Sequence, residues 1–210
     1  DKWGTEGSSD GEFSRPSGLA FDRDDNLLVV DGSNHRIQRF TKDGQFLGKW
    51  GRAGDGDGEF NLPWGIEVGG EGDIYVADWR NDRIQKFSPD GSFLMQIGSS
   101  GDGDGRLNRP TGVAVDQAGD MYVTDAGNHR VQMFDAQGGH IETFLGEGTL
   151  SKWGKAKLDG NAYMWDEREV AHDLEREKLF YFPVAVDVDS EGRVYVVETG
   201  RQRIQVYTKP

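Results

Sequence analysis

Residues 30–40 read VDGSNHRIQRF and residues 124–134 read TDAGNHRVQMF, with IYVADWRNDRIQKF at 74–87 between them. Asp, Asn, Arg and Gln return in one order, a polar cluster from which an active site could be assembled. The spacing decides otherwise. Asp31, Asp78 and Asp125 stand 47 residues apart, as do Arg36, Arg83 and Arg130, and likewise Pro16, Pro63 and Pro110. A fourth copy brings Pro183, Glu198 and Arg203, each 73 residues beyond the third, which is one repeat plus 26 inserted residues. A catalytic group is needed once, whereas a group present in every copy belongs to the architecture the copies share.

Each copy carries strand signals separated by Gly-rich punctuation. The first strand reads SGLAF, WGIEV, TGVAV and VAVDV, and the second LLVVD, IYVAD, MYVTD and VYVVE. The third reads RIQRF, RIQKF, RVQMF and RIQVY, and the fourth QFLGKW, SFLMQI and HIETFL. Asp43-Gly44, Asp90-Gly91 and Gly138-Gly139 lead into the fourth strand as short hairpin turns. The first two strands are near-continuous apolar runs, and strands of that kind are covered on both faces. Four short antiparallel strands stacked between neighbours describe the blade of an all-β propeller. Within a copy, Asp31 is expected to satisfy turn amides, Asn34 to hold the left-handed turn position, and Arg36 to form a bidentate pair with the carboxylate.

The patterns GEFNLPWGIEV…IYVADWRNDRIQKFSPDGSF and GEFSRPSGLAF…NHRIQRFTKDGQF resemble the NHL repeat of bacterial-type NHL proteins. The likeness covers nearly the whole chain apart from residues 147–182. It implies a propeller, usually of six blades, serving mainly as a binding platform. One propeller domain is expected over 1–210, with repeats at about 11–51, 58–98, 105–146 and 183–207. Trp3 precedes Phe13 by the same ten residues that separate Trp50 from Phe60. Residues 1–4 therefore read as the remnant of an outer strand, and the last copy stops after its third strand. Either the N-terminal piece completes the last blade as a clasp, or further blades precede it. The six-fold resemblance favours the second account, with about two more blades, roughly 94 residues.

The insertion at about 147–182 breaks the repeat. Asp166 followed by Glu169 is a helix-start signal, and Val170 and Leu174 make a narrow apolar stripe. A short helix is expected over 166–179, amid Trp153, Tyr163, Met164, Trp165, Phe180, Tyr181 and Phe182. Such a cluster packs as a lid or, through Trp165 among others, meets a partner.

Composition narrows the function. The 210 residues hold 31 Gly, no Cys, 37 acids and 24 bases, for a net charge of −13. Phosphate-backbone binding draws its affinity from Lys and Arg, so nucleic acid is disfavoured, and no apolar run reaches membrane-span length. Without Cys there are no disulfides, and the cellular compartment stays open. No Ser-His-Asp order, phosphate loop or HExxH motif occurs. The GDGDG linkers offer Asp55, Asp57, Asp102 and Asp104, which read as solvated turns before they read as a Ca²⁺ loop.

Departures from the repeat mark the candidate site. Glu67 and Asp187 replace Ala20 and Ala114 in the innermost strand, beside the channel. Trp64 stands where the other copies hold Ser17, Thr111 and Val184, and Arg15 and Arg109 precede their prolines. The expectation is a non-catalytic scaffold, without cofactor, binding a protein or small ligand at its end face through Trp64, Glu67, Asp187, Arg15, Arg109 and Trp165, as a free protein or as a subunit of a larger complex. The alternative is a lactonase- or lyase-type enzyme with Ca²⁺ or another divalent cation in the channel. An RNA-binding domain ranks third because of the charge.

Overall fold

The structure, a computed structural model, describes residues 2–146 and 179–208. Most of the insertion, including the expected helix and Trp165, lies outside the described residues. A short parallel pair, β1 (Thr5–Glu6) and β2 (Glu12–Phe13), precedes the blades. Blade one comprises β3 (Pro16–Phe21), β4 (Leu27–Asp31), β5 (Arg36–Phe40) and β6 (Phe46–Trp50). Blade two comprises β7 (Pro63–Val68), β8 (Ile74–Asp78), β9 (Arg83–Phe87) and β10 (Phe93–Ile97). Blade three comprises β11 (Pro110–Val115), β12 (Met121–Asp125), β13 (Arg130–Phe134) and β14 (His140–Phe144). Among the described residues, blade four comprises β15 (Pro183–Val188), β16 (Arg193–Glu198) and β17 (Arg203–Thr208). Every blade is an antiparallel meander in chain order, and the fold is an all-β propeller arrangement.

The apolar runs follow from how the blades stack. Side chains alternate across a strand, so in β8 Val76 enters the core shared with blade one while its neighbour Ala77 enters the core shared with blade three. Leu28, Val30 and Ile37 meet Phe60, Ile66, Ile74 and Phe87 across the first seam. Ile84, Ile97, Leu107, Val113 and Phe134 fill the second, and Tyr122, Val131, Phe180 and Val196 the third. Each fully buried large side chain contributes about 1.5–3 kcal/mol. At the ends of the series the same positions are uncovered. Leu19 is 66% exposed where Ile66 and Val113 are buried, and Ile204 is 63% exposed where Ile37, Ile84 and Val131 are buried.

The innermost strands β3, β7, β11 and β15 lie side by side, and their closest approach requires glycine. A Cβ on Gly65 would sit 2.5 Å from the Thr111 carbonyl oxygen, and one on Gly18 would sit 2.6 Å from that of Trp64. Between blades, the linkers form parallel bridges, Ala53 with Phe60 and Ser100 with Leu107, that repeat the β1–β2 pairing. Trp3 rests on Phe40 at 4.9 Å, as Trp50 rests on Phe87 at 6.2 Å.

Two expectations about the repeated motif need correction. The left-handed residue is not Asn34 but the next one: His35, Asp82, His129 and Gln202 all have φ between 51° and 57°. Nor is the Asp–Arg pair bidentate. Arg36, Arg83 and Arg130 touch the carboxylate through Nε alone, at 2.7–3.0 Å, because Nη2 of each guanidinium donates to carbonyls of the preceding linker.

Candidate functional site

The repeated polar residues form one clamp per blade. In blade two, Asp78 is fully buried; its Oδ1 accepts from the Asn61 amide, and its Oδ2 accepts from Asn81, Arg83 and Gln85. Those three side chains then reach the linker. Asn81 donates to the Gly54 carbonyl, Arg83 to those of Gly56 and Glu59, and Gln85 accepts from the Gly58 amide. Blades one and three repeat the pattern around Asp31 and Asp125. Blade four makes it with Glu198, Arg203 and Gln205, and Arg201 stands in for the Asn. In the second linker, the Gly56 carbonyl beside Asp55 and Asp57 already receives the Arg83 guanidinium.

The opening histidines have a structural partner too. His35 Nδ1 accepts from the amide of Leu62, and His129 Nδ1 from that of Phe182, each in the next blade, both at 3.2 Å. In blade two, Asp82 does the same for Arg109 at 2.8 Å. The accepted amides belong to the residues before the prolines, and Arg15, Leu62, Arg109 and Phe182 all hold φ of 52–56°. A left-handed conformation costs a non-glycine residue energy, and here the neighbouring blade holds three of the four in it.

The start of the innermost strands is where side chains depart from the repeat. Trp64, at the start of β7, is 40% exposed and lies 6.2 Å from the ring of Trp79. Arg80 and Arg109 both stand over Trp79, at 5.4 and 5.5 Å. Of the expected residues, Trp64 and Arg109 are thus brought together. Arg15 is exposed at the equivalent corner of blade one. Trp79 and Arg80 escaped the sequence reading, although both break the repeat: Trp79 replaces Gly32, Ala126 and Thr199, and Arg80 replaces Ser33, Gly127 and Gly200. A second aromatic corner lies between blades three and four, where Tyr181 stacks on His129 at 5.0 Å and Phe182 meets it edge-on.

Glu67 and Asp187, in the innermost strands of blades two and four, form a separate feature. Glu67 faces Tyr75 across the β7–β8 ladder, and burial, followed by the Asp187 charge, pushes its pKa up to about 7. Asp187 is exposed, and its Oδ1 accepts from the Val188 amide. Among the described residues no group of three or more His, Asp or Glu is placed to hold a metal ion.

The description "NHL repeat" fits residues 13–40, 60–87, 107–134 and 180–207, together more than half of the chain. Protein lin-41 of Caenorhabditis elegans is 49% identical over 47 residues, which are 22% of this chain and 4% of that protein. A streptogramin B lyase structure superposes with a TM-score of 0.54 at 14% identity, over 94% of this chain and 56% of that one. A gluconolactonase from Xanthomonas campestris gives 0.61 at 16% identity, over 92% of this chain and 58% of its own. The chain therefore spans a small part of the curated relative and a little over half of these propellers. At such identities the structural likeness concerns the fold.

Proposed function

Because the chain belongs to the NHL repeat family, we propose that it is a non-catalytic binding scaffold whose protein or small-ligand partner docks on the end face where the innermost strands begin. The observation that carries this reading is the grouping of Trp64, Trp79 and Arg80, at positions where the other blades hold small residues, with Arg109. Trp and Arg are the side chains that dominate binding hot spots, since each offers a large contact area with few rotatable bonds to freeze. The clamps carry the fold and leave this face free to vary. The test is selection of random peptides displayed on phage against the purified protein. Enriched peptides should lose binding to Trp64→Ala and keep it for Arg23→Ala, at a turn on the opposite end. Equal binding to all three proteins would refute the reading.

A second reading, a channel site for a divalent cation or polar ligand, is favoured by the Glu67–Asp187 pair alone. Calorimetric titration with Ca²⁺ tests it: stoichiometric binding lost in Glu67→Gln would promote this reading above the first.

A further inference from the structure

The end-face cluster also speaks to the chemistry of its partner. Nine of the thirteen arginines among the described residues are ion-paired with a carboxylate. Arg15, Arg80, Arg106 and Arg109 are not. In a chain with 37 acids, an arginine without a carboxylate is the exception. Three of these four stand at the end face, and two of them lie against one indole. Contact with the ring holds each guanidinium in place while its donors stay available, which lowers the entropy lost when a carboxylate arrives.

Resting on the binding-platform reading, we infer that Trp64, Trp79, Arg80 and Arg109 recognise a short acidic segment of a partner polypeptide, with a carboxylate at the guanidiniums and an apolar or aromatic side chain against Trp64. The surroundings limit its length. The linkers leading to these strands carry exposed Asp55, Asp57, Asp102 and Asp104, so a long polyanion would run from the arginines onto like charge. A nucleic acid, which gains affinity by engaging many phosphates at once, is poorly served by so few guanidiniums on a chain of net charge −13.

The experiment begins with the phage-selected peptides and measures their binding by fluorescence anisotropy. The expected peptides are rich in Asp or Glu around an aromatic residue. Their Gln/Asn counterparts should bind about tenfold more weakly, as should the selected peptides to Arg109→Glu. Arg106→Glu is the control, with the same charge change at an unpaired arginine three residues away on the linker, and it should alter binding less than about twofold. Thermal melts of each variant show that the fold is kept. Peptides sensitive to Trp64→Ala but without acidic excess would overturn this inference and leave the binding platform standing. Peptides insensitive to both Trp64→Ala and Arg109→Glu, or no enrichment at all, would overturn both. Equal losses in Arg106→Glu and Arg109→Glu would reduce the effect to net charge and overturn the inference. So would a single-stranded RNA oligonucleotide that binds more tightly than the peptides and displaces them.

Discussion

Asp78 accepts four hydrogen bonds while fully removed from water, and Arg83 supplies the only positive charge among the donors. Arg83→Ala leaves that carboxylate underserved and frees two linker carbonyls, so denaturant unfolding should show a loss of about 1–3 kcal/mol, with peptide binding at the end face retained. That the Asp, Asn, Arg and Gln act together was legible because their order recurs. That they grip the linker was not, since the linker answers with backbone carbonyls and amides, which leave no mark in a sequence. Glu67 behaves differently. Its pKa is raised in the folded state, so the native protein holds the proton more tightly than the unfolded chain does, and stability falls as pH climbs from the ordinary carboxylate range to about 7. Glu67→Gln should therefore raise stability by about 2 kcal/mol at pH ~8 and change little near pH ~4, as read from melts at both values.

At the scale of strands and turns, neighbouring blades decide what local preference does not. Sequence reading puts the left-handed residue at Asn34, a residue type that tolerates that region. The structure puts it at His35, because the imidazole must turn toward the Leu62 amide of the next blade while Asn34 bridges Asp31 and the linker. Since Asp82 performs the same task in blade two, His129→Asp should keep most of the stability, whereas His129→Ala should cost about 1 kcal/mol in denaturant unfolding. Gly65 shows the same dependence on a neighbour. Its pattern reads as an ordinary strand residue, yet Gly65→Ala drives a Cβ to 2.5 Å from the Thr111 oxygen. The expected loss is about 1–3 kcal/mol, while Gly70→Ala, at a site with open space around it, should be close to neutral by the same measurement.

For the whole molecule, the repeat made the propeller legible before any contact was known, because near-continuous apolar strands must be covered on both faces and the recurring four-strand units supply the neighbours that cover them. The candidate site was legible only in part. Trp64 stood out as a departure and Arg109 by its place before Pro110, but their meeting at Trp79 depends on the close approach of blades two and three, which the repeat pattern does not encode. The uncovered faces of blades one and four are opposite halves of the seam used three times inside. Leu19 and Phe21 stand on one, and Val197, Ile204 and Val206 on the other. Exposed apolar surface of this kind favours association. The purified 210-residue chain should bind a hydrophobic dye and sediment in a concentration-dependent manner, and Ile204→Glu should weaken both.

The clamps also set where the polypeptide tolerates being cut. Each blade grips the linker that enters it, whereas the turns at the opposite end, such as those around Gly44 and Gly91, hold mainly to themselves. A protease nick at such a turn severs the chain yet leaves every clamp and seam in place, so the halves stay together as one particle. A nick between Gly54 and Glu59 divides the segment that Asn81, Arg83 and Gln85 hold jointly, and the two blades on either side lose their common tether. The repeat thus contains both its hinges for rearranging chain order and the joints that must remain whole.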